Sequence, residues 1–309
     1  MISVIIPLYN KKAYITATLQ SVLRQSYPHF ELVVVNDGST DDSPQAVETM
    51  QDNRLRLIHQ PNKGVSAARN QGIRVARNEY IALLDADDIW EPDCLQTLAQ
   101  LADKYPDCDI FACNYEFKQQ DGSVRPTIIR KLPFTEEDGV MSNYFEVAAC
   151  SHPPICSSSV MIRKEALRSI GGFPEGLSSG EDLLTWARLA CRYRIAYSRR
   201  VCARFVSTPS GSAISKVRQR RRGDDPVADE LFTLQKQNPH VARGLKQYIH
   251  RWFRMRGIVA LEADEPRVAC SYALRGLMQG GKIREFAPLL ALSLLPAGVS
   301  RFIFNLRKQ

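Results

Sequence analysis

None of the eight cysteines of this 309-residue chain forms a CxxC pair. Their scattered spacing excludes the usual zinc-site and disulfide-framework patterns and fits reduced thiols in a cytosolic protein. No stretch is long and continuous enough in apolar residues to read as a membrane span, which takes about 20. The nearest candidate, Phe286–Phe304, is broken by Pro288 and Pro296. The opening residues, Met1-Ile2-Ser3-Val4-Ile5-Ile6-Pro7, carry no basic n-region and read as a strand, so no signal peptide is expected. No aromatic interleaving or recognised motif accompanies the basic residues, so no nucleic-acid partner is expected. Internal repeats are also lacking.

What is present is a globular composition, 44% hydrophobic and 24% charged, in a chain long enough for one large domain and an extension. The net charge of +8 is unevenly placed. From Ser207 onward there are 18 Lys and Arg against 8 Asp and Glu, which gives +10; the remaining 23 and 25 give −2 before it. A near-neutral front and a basic tail suggest two separate jobs.

The front alternates strand and helix signals. Ser3–Ile6 is a β-branched run, and Ile15, Leu19, Val22 and Leu23 follow at helical spacing. Phe30–Val35 is a continuous apolar run, as expected of a strand buried on both faces. It stops at Asn36-Asp37-Gly38, after which Ser39 or Thr40 can cap a helix. Leu55–Ile58 and Tyr80–Leu84 read as strands, Ser66–Arg77 as a helix, and Pro92 opens another. This rhythm predicts an α/β fold: a mostly parallel sheet with helices on both faces. Ligands bind such sheets beyond the carboxyl ends of the strands, where Asp37 and Asp85 fall. Farther on, Ile110–Glu116, Ser158–Arg163 and Cys202–Val206 are strand candidates, Asp121-Gly122 signals a hairpin, and a helix begins at Glu181. A Ser/Gly/Arg-rich stretch from Ser207 to Pro226 reads as a linker, followed by helical patterning.

Four places could carry chemistry. Asp85-Ala86-Asp87 sets two hard oxygen ligands at the end of a buried strand, which suits Mg²⁺ or Mn²⁺ shared with substrate phosphates; the alternative is a cap cluster before Pro92. Asp37 is either a turn residue or an acceptor for a nucleobase imide N–H. Glu181-Asp182 either complements a helix dipole or contains a general base. The run Lys216–Arg222 is either a solvated loop or a binder of phosphate or membrane surface.

Taken together, SVIIPLYN (3–10), ELVVVNDGSTDDS (31–43), NKGVSAARNQGI (62–73), YIALLDADDIWEPD (80–93), GGF (171–173) and GEDLLTWARL (180–189) resemble the family 2 glycosyltransferases of the GT-A fold. The resemblance covers roughly residues 2–206. It implies that Pro7, Leu8, Tyr9 and Asn10 line a nucleotide pocket and that Asp37 reads the uracil of a UDP-sugar. Arg69 would lie near the nucleotide or its diphosphate, Asp85 (with Ala86 beside it) would contact ribose or sugar, and Asp87 would hold the metal. Asp182 would be the catalytic base, with Glu181 the alternative. Some members carry a His after the last strand of the catalytic domain; here RFVSTPSGSAIS (204–215) has none.

The expectation is a GT-A catalytic domain over residues 1–215 and a basic helical extension over 216–309. Its function would be inverting sugar transfer to a glycan or lipid-linked acceptor in cell-surface polysaccharide or glycolipid assembly. It would work in the cytoplasm, held peripherally at an anionic membrane face. A nucleotidyltransferase shares a similar sheet but needs a glycine-rich loop after its first strand, which PLYNKKAYI lacks. An inactive nucleotide-sugar-binding module is the rival of another class.

Overall fold

The computed structural model describes residues 1–119, 121–206, 225–295 and 298–299. The expected boundary at 215/216 and the Lys216–Arg222 run lie outside the described residues. Two compact units divide the chain: residues 1–147 with 151–208, and a second formed mainly by residues 209–309.

In the first unit the elements are β1 (Ile2–Leu8), α1 (Ile15–Leu23), β2 (Phe30–Asp37), α2 (Ser43–Glu48), β3 (Leu55–Gln60), α3 (Val65–Val75) and β4 (Tyr80–Leu83). Next come β5 (Ile89–Trp90), α4 (Cys94–Lys104), β6 (Ile110–Lys118), β7 (Val124–Pro126), β8 (Asp138–Val140) and α5 (Tyr144–Cys150). Then follow β9 (Val160–Arg163), α6 (Lys164–Ser169), α7 (Glu181–Ala190) and β10 (Ile195–Val206). The sheet order is β3-β2-β1-β4-β9-β6-β10-β5, with β7 added beside β6 and β8 beside β10. β3, β2, β1 and β4 run parallel, and β9 runs against both β4 and β6.

Every residue of β2 is buried, because helices cover both faces of its sheet. Alternate residues Val4, Ile6, Leu8, Leu32 and Val34 share one core with Ile15, Leu19 and Val22 of α1. On the other face α3 comes so close to β1 that a Cβ on Gly72 would meet Ile5 Cγ2 at 2.3 Å. In register, Ile5 lies level with Val33 and Leu83. The segments following β1, β2 and β4 therefore emerge together at one edge, and the site grows there.

Two local expectations need correcting. Ser39 and Thr40 do not cap a helix, since α2 begins only at Ser43; their hydroxyls instead bond to Asn10. The last strand is longer than Cys202–Val206 because it begins at Ile195, with register shifts between Ser198 and Ala203 beside the exposed Arg199 and Arg200. The Asp121-Gly122 hairpin forms, pairing β6 with β7, and Gly122 takes the positive φ that such a turn requires.

The described part of the second unit is helical: α8 (Pro226–Gln237), α9 (Ala242–Glu262), α10 (Pro266–Met278) and α11 (Ile283–Ser293). Asp225 caps α8 by accepting from Ala228 N–H at 3.1 Å, and its other oxygen accepts from Trp252 Nε1 at 2.9 Å. Phe286 seats its ring over Gly276 and Gly281, and Leu289 lies against Gly257. Among the described residues no helix is long and apolar enough to cross a membrane.

Candidate active site

Four aspartates stand at the carboxyl edge of the sheet, each held by named groups. Asp37, the last residue of β2, is buried; its Oδ1 accepts from Gln60 Nε2 at 2.7 Å and Lys63 N–H at 2.9 Å, and its Oδ2 from Gly64 N–H at 2.8 Å. The loop entering α3 is thus wrapped around this carboxylate. The turn after β1 is fastened to the turn after β2 in the same way. Asn10 takes a positive φ of 50°, its Oδ1 accepts from Thr40 N–H at 2.8 Å, and its own N–H donates to Ser39 Oγ at 3.1 Å. Tyr9 stands 46% exposed at this turn and Pro7 is half-buried. Leu8 is a core residue with no exposed surface, so the strand end offers its backbone and not its side chain.

Asp85 lies two residues beyond β4. Its Oδ1 accepts from Arg69 Nη2 at 2.7 Å, and its N–H donates to Ser158 Oγ at 3.1 Å. Ala86 is buried, and its carbonyl accepts from Thr18 Oγ1 at 3.0 Å. Asp87 meets Lys11, whose Nζ lies 2.6 Å from Oδ2. Asp88 is fully buried between the Ser158 hydroxyl and Val206 N–H, which donates at 2.9 Å. Burial, with Asp85 adding repulsion, holds its carboxyl well above the usual range.

Arg69 ties this edge to α7. Its guanidinium is buried, lies 5.1 Å from the Phe173 ring, and reaches Glu181 Oε1 at 3.7 Å with Nη1. Nε and Nη1 make no hydrogen bond, although a buried guanidinium normally satisfies its donors. The GGF segment fixes Phe173 there: Asn70, next to Arg69, accepts from Phe173 N–H at 2.8 Å and donates to its carbonyl at 2.9 Å. Gly172 allows that approach, since a Cβ would stand 2.5 Å from Asn70 Oδ1.

Asp182, half-buried in the first turn of α7, accepts from Leu183 N–H at 2.7 Å. Desolvation pushes its carboxyl up to about 6; the Glu181 charge adds to this and Arg69 opposes it. A carboxyl raised in this way would suit a general base working near neutral pH.

Whether the edge suits a divalent ion is decided by its donors. Asp85 and Asp87 offer hard oxygens, and the Lys11 ammonium on Asp87 Oδ2 shows a cation already favoured there. Among the described residues no group of three or more His, Cys, Asp or Glu forms a cage. Mg²⁺ and Mn²⁺ typically use one or two carboxylates and complete their shell with water and substrate phosphate, so the set fits.

Sequence reading named Asp37, Arg69, Asp85, Asp87, Glu181 and Asp182, and the structure gathers Asp85, Glu181 and Asp182 around the Arg69 guanidinium. It did not single out Lys11, Ser158, Asp88 or Phe173. Lys11 had a signal, being a cation directly after the first strand's PLYN. Ser158 had none, since its partner Asp88 lies 70 residues away.

A mixed sheet of this order, with acidic residues at its carboxyl edge, defines the GT-A class of fold. Solved structures of the same fold include S. aureus TarS in complex with UDP-GlcNAc, at a TM-score of 0.66 and 21% identity over 98% of this chain and 88% of that one. The mannosyltransferase PcManGT of Pyrobaculum calidifontis, in complex with GDP-Man and Mn²⁺, matches at a TM-score of 0.57 and 23% identity, over 99% of this chain and 84% of that one. The family model for glycosyl transferase family 2 matches residues 3–171, and the chain belongs to that family. Relatives include the glycosyltransferase GlyG of Streptococcus pneumoniae, 41% identical over 127 residues, 40% of this chain and 42% of GlyG. The putative teichuronic acid biosynthesis glycosyltransferase TuaG of Bacillus subtilis is 30% identical over 205 residues, 65% of this chain and 77% of TuaG. The chain therefore spans less than half of GlyG but most of TuaG.

Proposed function

We propose that this chain transfers a sugar from a nucleotide-diphosphate donor, a UDP-sugar, to a hydroxyl of a glycan or lipid-linked acceptor, inverting the anomeric configuration. The observation that carries this reading is Arg69. One buried guanidinium, with two nitrogens lacking hydrogen bonds, spans the donor-side Asp85 and the acidic pair Glu181-Asp182.

The nucleotide would lie across the turns after β1 and β2, with Tyr9 against the base and the spare lone pairs of Asp37 accepting the uracil imide N–H. Pro7 to Asn10 form the floor of that pocket. Asp87, with Asp85 beside it, would hold Mg²⁺ or Mn²⁺, which when bound neutralises charge on the diphosphate. Arg69 holds Asp85 in place and keeps positive charge near the leaving group. Asp182 accepts the proton of the acceptor hydroxyl while that oxygen attacks the anomeric carbon from the face opposite the diphosphate. The carbon–oxygen bond to the diphosphate breaks in the same displacement, so no nucleophilic Ser or Cys is needed. TarS bound to UDP-GlcNAc and TuaG's name support a UDP donor and a cell-surface polymer. A lipid-linked acceptor would place the work at the cytoplasmic face of a membrane.

The test is a panel of nucleotide sugars with Mn²⁺, scoring nucleotide release with and without acceptor. Release from one UDP-sugar, abolished by Asp182→Asn, is expected. Tight donor binding with no release from any sugar would favour a binding module without turnover.

A further inference from the structure

In helix α11 the apolar residues continue past the face that packs. Phe286, Leu289 and Leu292 are buried inside the second unit. On the opposite side, at helical spacing, Ile283, Ala287, Ala291 and Leu294 are exposed, Ile283 by 74% and Leu294 by 78%. A soluble helix usually keeps that side polar, and one that is apolar all round is normally covered by something. The turn leading into α11 extends the strip, because Met278 at the end of α10 is 83% exposed and Leu274 one turn before it 48%.

The rim of this strip is cationic at the α10–α11 turn. Lys282 and Arg284 are exposed on either side of Ile283, and Arg267 lies on the same exposed stripe of α10 as Leu274 and Met278. The Lys246 ammonium of α9 comes beside Gly280, where a Cβ would meet it at 3.1 Å, and His250 sits on the Gln279 carbonyl at 3.1 Å. Glu285 is the one acid of this turn, and it is half-buried.

From this we infer that the α10–α11 turn and the outer face of α11 dock on an anionic lipid surface, with Met278, Ile283 and Leu294 entering the interface and Lys246, Lys282 and Arg284 meeting lipid phosphates. Apolar residues ringed by Lys and Arg are the pattern of interfacial binding. A second copy of the chain would bring the same cations against one another, which argues against self-association here. In the described part of the apolar segment Phe286–Phe304, Phe286, Leu289 and Leu292 are core, and the lipid-facing residues are their neighbours on the far side. The surface deepens the reading of a lipid-linked acceptor and rests on it only for its purpose.

Flotation of the full chain with phosphatidylglycerol/phosphatidylcholine vesicles tests it, with phosphatidylcholine alone as control. The wild type should float with anionic vesicles and detach at high salt. Met278→Glu with Ile283→Glu, and separately Lys282→Glu with Arg284→Glu, should each weaken partitioning roughly tenfold or more. Both double variants should keep the wild-type melting temperature, because the altered side chains are exposed. Three outcomes overturn the inference: a wild type that ignores anionic vesicles, equal flotation with neutral vesicles, or variants that float as well as wild type. A sedimentation shift from dimer to monomer in the Met278/Ile283 variant, without vesicle binding by wild type, overturns it in favour of self-association. Nucleotide release, measured in parallel with a water-soluble acceptor, separates the two readings. If every form floats as expected yet none releases nucleotide, the transferase reading fails and this surface stands.

Discussion

In the first unit, Asp37, Asp85, Asp87 and Asp88 crowd the edge of one sheet, and each is held by groups from another part of the chain. Beside them Arg69 is buried, with Nε and Nη1 making no hydrogen bond. In the second unit the deeply buried acid is Asp225, and both its oxygens are engaged, one capping α8 and the other holding the Trp252 indole. Buried charge is costly unless it is paired and hydrogen-bonded. Asp225 is hydrogen-bonded through both oxygens within its own helices. The Arg69 guanidinium is paired with Asp85 and Glu181, but Nε and Nη1 make no hydrogen bond. The contrast is between a charge satisfied within its own helices and charges that the proposed transfer would use.

The sharpest test of that contrast is Asp182→Asn. It keeps the shape of the side chain and removes the proton acceptor, so transfer should fall by about 10²–10⁴-fold while donor binding survives. Because burial places the carboxyl at about 6, wild-type turnover should drop tenfold per pH unit below that value and level off above it. The stability effect has the opposite sense. A raised carboxyl favours folding in its protonated form, so wild type loses that contribution as pH rises from about 4 to about 6. Asp182→Asn should therefore gain on wild type in thermal melts across that window. Loss of turnover in Glu181→Gln with near-normal Asp182→Asn would exchange the two roles.

Next in size is Asp87→Ala, expected to cost about 10³-fold in nucleotide release, since stabilising charge on a leaving diphosphate is worth several kcal/mol. EDTA should reproduce it in wild type, and calorimetry of UDP binding should show both effects. Nucleotide affinity indifferent to EDTA and to the substitution would remove the metal from the account.

On the other side of the comparison, Asp225→Ala should cost stability and nothing else. It removes a cap and leaves a buried indole N–H unpaired, about 2–4 kcal/mol in urea unfolding. UDP affinity measured on the folded protein should stay at the wild-type value; a clear drop would erase the contrast drawn above. Smallest is Gly72→Ala, where the new methyl meets Ile5 Cγ2 at 2.3 Å and forces α3 from β1. Overpacking of this kind costs about 1–3 kcal/mol, and a melt should show it before kinetics do.

Much of this was legible beforehand. β1, β2 and β4 announced themselves as mostly apolar runs, because a strand covered on both faces has room for few polar positions; Ser3 and Glu31 are the exceptions, and they bond to one another. The same runs delivered Asp37 and Asp85 to the correct edge. Local signals failed where a residue's partner is distant. Ser39 and Thr40 look like caps until Asn10 claims them. Asp88 looks like one more exposed acid until Ser158 and Val206 enclose it. In α11, the run from Phe286 reads as uniformly apolar, and nothing in its order reveals which side packs.

By itself, the sequence determined the alternation of strand and helix, the family motifs and the identity of the acids at the strand ends, since these depend on local pattern and spacing. Tertiary structure alone decided which charges meet. Arg69 joins Asp85 and Glu181 across 16 and 112 residues of chain, and Lys11 reaches Asp87 across 76. Pairings of that kind depend on sheet register and on helix packing, which are set by the whole core at once, so no window of neighbouring residues contains them.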